Sequence, residues 1–155
     1  MPRHMLGALV ASCALVASCR SAGSLATPHI PLGHDPQQPR CAEFNRQGEC
    51  AFYRVSVIDL IARPSEFDGK YVQLIGFVHL QEEGNEICLG REDAEVGINS
   101  NCLWLGLESL DGSRLESFRK GFALVQGFFS ATYGGHFGLW PGAILRVDRL
   151  EQKPQ

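Results

Sequence analysis

The residues best suited to chemistry stand together in one short passage. Between Thr132 and Gly142 lie Tyr133, His136, Phe137 and Trp140, interleaved with Gly134, Gly135, Gly138 and Pro141. Glycine and proline at this density suppress regular structure, while aromatic rings are costly to leave in water unless they pack or bind. The passage reads either as a binding loop formed by Tyr133, His136, Phe137 and Trp140 or as aromatics folded back to plug the mouth of the fold, and a mixed outcome is expected, with Phe137 turned inward and Trp140 outward. Imidazole titrates near neutrality, so His136 has the chemistry of a general base. It would still need a nucleophile or an orienting acid, and Asp111 or Asp148 can reach it only if the fold brings them. No Ser, Thr or Cys sits in a nucleophile motif, and no glycine-rich loop follows a strand and opens a helix to cradle phosphate. No catalytic residue is assigned, and a binding protein is expected rather than an enzyme.

Acidic residues form a second group: Glu82, Glu83 and Glu86, then Glu92, Asp93 and Glu95. They lack the alternating oxygen ligands and fixed glycine of a calcium loop, and are expected to be solvated acidic turns. The whole chain carries a formal net charge of −3. That balance argues against nucleic acid as a partner, because binding phosphates needs a cationic track.

The N-terminus reads as an address. Arg3 precedes an apolar and small-residue stretch from Met5 to Ser18, too short to span a bilayer as a helix but suited to the core of a cleaved signal peptide. The string Ala-Leu-Val-Ala-Ser-Cys occurs twice, ending at Cys13 and at Cys19. Val16-Ala17-Ser18-Cys19 resembles the bacterial lipobox, with Val where Leu is commonest. The resemblance implies lipidation of Cys19 and removal of residues 1–18. Cleavage at Cys13 would leave an apolar core of only about eight residues, near the lower limit for such signals. Several acyl chains anchor stably where one is marginal. The expectation is thus a lipid-anchored envelope protein, on the outer membrane facing the periplasm.

Beyond Cys19 four cysteines remain: Cys41, Cys50, Cys88 and Cys102. An even count in an exported chain favours disulfides, and four thiols allow three connectivities. Pairing Cys41 with Cys50 and Cys88 with Cys102 closes two short loops and is the favoured arrangement. Zinc is the competing use, but no Cys-x-x-Cys is present and no histidine stands close to these thiols. No metal and no cofactor is expected.

These side chains need elements to hold them. From residue 20 to residue 40 the chain is polar, with Pro28, Pro31, Pro36 and Pro39, and with His29 and His34 as linker histidines. It cannot bury enough surface to offset its ordering entropy and reads as a tether for a folded unit over 41–152. Ser56 caps a short helix that Pro64 ends. Residues 70–80 alternate as a strand, with Gly76 marking a bulge or bend and His79 off the core face. Further strands are expected over 86–90, 102–107, 122–132 and 143–150, with one helical turn over 91–97 and a brief helix over 115–121.

Three strands, a helix and two strands is the order of the five-stranded Greek-key barrel known as the OB-fold. Gly127 in mid-strand would let one long strand curl around both halves of such a barrel. An open sheet with flanking helices is the alternative. Ser56-x-x-x-Leu60-Ile61-x-x-Pro64, Asp68-Gly69-Lys70-x-Val72, Gly76 and Gly135-His136-x-Gly138-Leu139 are similar to a group of small, uncharacterised bacterial proteins with an OB-like domain. The resemblance covers about 55–150 and implies the fold without an established activity. The functional expectation is an envelope lipoprotein presenting an OB-like module to a protein or glycan. The runner-up is an inhibitor or immunity protein directed at a secreted cell-wall hydrolase.

Overall fold

A computed structural model of the chain describes residues 41–82, 84–118 and 120–154. The signal segment, Cys19, the tether and Glu83 lie outside the described residues.

The folded unit opens with β1 (Cys41–Phe44) and β2 (Cys50–Arg54), an antiparallel hairpin stapled by a Cys41–Cys50 disulfide. Sequence patterning offered no strand here, because most of the segment is polar and exposed and has no alternating face. The two helices α1 (Val57–Ala62) and α2 (Pro64–Phe67) follow. Ser56 and Asp59 form a reciprocal cap at the start of α1: Asp59 N donates to Ser56 Oγ at 3.1 Å, and Ser56 N donates to Asp59 Oδ2 at 2.9 Å. Pro64 does end α1, but it also opens α2, where its missing N–H breaks no helical bond.

Five strands then close a mixed barrel: β3 (Tyr71–His79), β4 (Glu86–Cys88), β5 (Cys102–Leu105), β6 (Lys120–Ser130) and β7 (Ala143–Gln152). Around the barrel the order is β3-β4-β5-β7-β6, with β6 pairing back onto β3. Strands β5 and β7 run parallel, and the other barrel pairs are antiparallel. This is the expected Greek key, and it excludes the open-sheet alternative. Helix α3 (Arg91–Val96) lies between β4 and β5, and α4 (Gly112–Ser117) between β5 and β6. Helix α4 starts earlier than the expected 115–121, because Asp111 supplies its N-cap by accepting from Ser113 N.

Gly76 does different work from the bulge or bend expected of it, whereas Gly127 serves the curl expected of its strand. Gly76 lies in an unbroken register with β6, so there is no bulge at that residue. A Cβ there would stand 2.6 Å from the Ile87 side chain and 2.8 Å from the Cys88 carbonyl, so Gly76 is what lets β4 come close. Opposite Gly127 the register of β7 slips between Gln126 and Phe128, and Arg146 adopts φ 51°. The bulge on β7 and the bare Gly127 together let the two strands coil tightly around the barrel.

The interior takes Val72, Leu74 and Val78 from β3, Ile87 from β4, Leu103 and Leu105 from β5, and Val125, Phe129, Ile144 and Val147 from the last two strands. Helices α1 and α2 add Val57, Leu60 and Phe67 to the same core, and Phe118 joins it just after α4. A second, smaller core forms on the outside of the barrel from Phe77, Cys88, Cys102, Ala94 and Trp140, with Trp104 packed against it. A Cys88–Cys102 disulfide runs through it, joining residues that face each other across β4 and β5. Strand alternation separates the two cores: odd residues of β3 and even residues of β4 and β5 look outward.

Candidate functional site

The outer core is the ground on which the candidate site is built. On β4, Ile87 points into the barrel, so its neighbours Glu86 and Cys88 point out; on β5, Cys102 and Trp104 do the same. Glu86 is therefore carried onto an apolar surface and is only 3% exposed. A buried carboxylate needs a donor, and Trp140 provides it: its indole Nε1 donates to Glu86 Oε2 at 2.9 Å. The other oxygen, Oε1, faces His79 Nδ1 at 3.9 Å, and Gln81 Nε2 lies 3.0 Å from that same ring nitrogen. Burial pushes the Glu86 carboxyl above the usual glutamate range, while the Trp140 hydrogen bond and His79 pull against that shift. The expectation that Glu86 belongs to a solvated acidic turn is thus corrected. Of its companions, Asp93 closes the start of α3 by accepting from Gly90 N and Asn101 Nδ2, and Glu95 pairs with Lys120 at 2.7 Å.

The glycine-rich loop between β6 and β7 folds over the second aromatic of this face. Trp104 and Trp140 meet edge to face with ring centroids 4.9 Å apart. Gly135 adopts φ +67°, and a Cβ there would stand 2.6 Å from the Trp104 ring. The loop backbone therefore lies directly on the Trp104 indole, a contact only glycine permits. This arrangement settles the orientation of the loop aromatics, and it reverses the expected one. Trp140 is buried at 8% exposure, whereas Phe137 is 83% exposed at φ 58°. Tyr133 is about half exposed, and the exposed His136 ring lies 3.9 Å from that of Phe137. Of the four loop residues expected to bind, three point to solvent and Trp140 anchors the loop to the barrel.

Two clefts border this face, the first reaching from Trp104 to Leu105, Leu107 and Phe118 of the inner core. The first, about 660 Å³, lies over Trp104 and is bordered by Leu80, Gln81, Glu82, Asn85, Glu108 and Glu116. The second, about 530 Å³, reaches Glu86 and Trp140 between Glu82, Ala94 and Asn99. Both are lined by Gln81 and Glu82, in the β3–β4 loop. In OB barrels, the second and third strands with the loops after the first and fourth strands form the usual ligand surface. Here those parts are β4, β5, the β3–β4 loop and the β6–β7 loop. Trp104 and Glu86 were missed by sequence reasoning. Trp104 is an outward residue in an ordinary alternating strand, and the partner of Glu86 is 54 residues away.

Other chemistry on the molecule is structurally committed. Tyr71 OH donates to both oxygens of Asp148, at 2.5 and 2.6 Å, and burial together with this bond pushes its phenol up to about 12. Asp148, an acid that the fold might have brought to His136, is therefore engaged by Tyr71. Glu86, Cys88 and Cys102 place donor atoms within 4.8 Å of one another, but both sulfurs are joined in the disulfide and offer no thiolate to a metal. No helix among the described residues is long and apolar enough to cross a membrane. The two disulfides suit an oxidising, extracytoplasmic compartment.

No protein-family model matches this chain, and neither a curated protein nor a solved structure matches it.

Proposed function

We propose that the chain is a lipid-anchored protein of the bacterial cell envelope whose barrel presents the outer β4–β5 face to a protein or glycan partner. The observation that carries the binding half is the pair of clefts sharing Gln81 and Glu82 on the ligand-binding side of an OB-type barrel. Their rigid walls favour binding: the Cys88–Cys102 disulfide and the Trp140–Glu86 hydrogen bond hold this surface in shape before any partner arrives. The envelope half is supported by the two disulfides and by the lipobox-like Val16-Ala17-Ser18-Cys19. The proline-rich 20–40 stretch would let the barrel stand off the membrane and reach its partner.

Site-specific photocrosslinking in a bacterial host tests the reading. A photoreactive residue at Gln81 or Glu108, on the clefts, should yield a discrete crosslinked species in the membrane fraction. The same residue at Ile58, exposed on α1, should not. Equal crosslinking from all three positions, or none from the clefts, would remove the β4–β5 face as the docking surface.

A further inference from the structure

Resting on that docking reading, we infer that the partner is a protein presenting a basic segment, with lysine or arginine side chains flanked by apolar ones. Glu82, Glu86, Glu108 and Glu116 line the two clefts. A cationic segment is both steered and held by these carboxylates, whereas a neutral glycan forms no ion pair with them. The floor is apolar as well: Leu80, Leu107, Leu115 and Phe118 line the first cleft beside Trp104. Aliphatic neighbours of a basic residue have somewhere to go, and an ammonium or guanidinium near an indole face gains a cation–π contact.

Glu86 supplies an independent pointer. It is 97% buried and lines the second cleft, yet only Oε2 has a hydrogen-bond donor, from Trp140. Oε1 has His79 Nδ1 at 3.9 Å, beyond hydrogen-bond reach. No buried side-chain oxygen among the described residues lacks a partner, so Oε1, which accepts no bond from Trp140, keeps an opening to the cleft. An incoming ammonium or guanidinium supplies an N–H and a positive charge together.

The chain contains two tryptophans, Trp104 and Trp140, so its indole emission reports on this face alone. The test titrates the purified full chain with acetyl-Leu-Lys-Leu-Leu-Lys-Leu-amide and with the matching peptide carrying Glu in place of Lys. The lysine peptide should change the emission saturably and the glutamate peptide should not. Glu82, Glu108 and Glu116 are exposed, so the triple variant Glu82→Gln, Glu108→Gln, Glu116→Gln keeps the fold and should weaken the lysine peptide roughly tenfold. Glu86→Gln retains an acceptor for Trp140 and should also weaken it. Equal response to both peptides, no response to either, or affinity unchanged in both variants would overturn the inference. Chitotetraose shifting the emission equally in the wild-type chain and the triple variant would do the same while leaving the docking face intact. Absence of crosslinks from Gln81 and Glu108 would instead remove the docking reading itself.

Discussion

Replacing Trp140 and Phe137 one at a time distinguishes an anchoring aromatic from a displayed one. Trp140 packs on Trp104 and on the Cys88–Cys102 bridge with 8% of its surface exposed. Truncating a buried large aromatic to alanine costs about 3–5 kcal/mol. The same substitution leaves Glu86 Oε2 without its donor, and a buried unsatisfied acceptor costs about 1–3 kcal/mol where water cannot reach it. Trp140→Ala should therefore fall at or above the top of the first range. For a domain of this size each kcal/mol moves the midpoint by about 4–6 °C, so the Tm should drop by about 20 °C or more. Trp140→Phe keeps most of the ring and loses only the N–H, and should cost about 1–3 kcal/mol. Phe137→Ala removes a ring that is 83% exposed and should change stability by less than about 0.5 kcal/mol. Circular-dichroism melts of the three variants side by side provide the measurement. A Phe137→Ala loss as large as that of Trp140→Ala, or a Trp140→Phe variant as stable as the parent, would refute this account of the loop.

Four further outcomes follow from the same geometry. Gly135→Ala must accommodate a Cβ 2.6 Å from the Trp104 ring at φ +67°; it should cost about 1–3 kcal/mol and shift the tryptophan emission, and an unchanged spectrum would contradict the loop packing. Because burial raises the Glu86 carboxyl pKa, the folded state binds that proton more tightly than the unfolded chain. The associated stability is complete below the ordinary glutamate value and is lost as pH rises through the raised one. Glu86→Gln should abolish that slope in urea melts taken across a pH series, and an identical slope would be inconsistent with a buried acid. Replacing Cys88 and Cys102 together by alanine opens a bridge of sequence separation 14; it should lower stability by about 3 kcal/mol, and a negligible loss in denaturant titrations would show that the outer core does not depend on it. Cys19→Ser should move the chain from the membrane fraction to the soluble envelope fraction, as read by fractionation and intact mass; unchanged values for both would end the lipid-anchor proposal.

Much of the barrel could be read in the chain, because each barrel strand keeps its inner face apolar. The bare Gly127 also lies where the longest strand must coil. The β1–β2 hairpin could not be read in that way. It is held by the Cys41–Cys50 bridge and by a two-residue parallel pairing with β3, and neither leaves an alternating apolar signature. The site was legible only in part. The loop from Thr132 to Gly142 stood out through its composition, but the orientation of its aromatics depends on the Gly135 backbone lying against Trp104, a contact that spans the sheet. Glu86 follows Glu82, Gly84 and Asn85 and so reads locally as part of a polar turn. Its burial is decided by a tryptophan that arrives from the other end of the domain.

The Cys88–Cys102 bridge sits at the root of the excursion that carries α3, where the same two residues also face each other across β4 and β5. Residues 89–101 are therefore a covalently closed ring hung on the barrel wall. A backbone cut anywhere within that ring leaves every barrel strand whole and both fragments tied together, so a nicked chain stays one molecule until it is reduced. Lengthening the ring is also inexpensive, since each doubling of a flexible loop costs only about 0.6 kcal/mol of closure entropy. The stretch beside α3 is thus where this scaffold can accept foreign sequence, provided that the insert keeps an apolar residue in the place of Ala94 to cover the sulfurs.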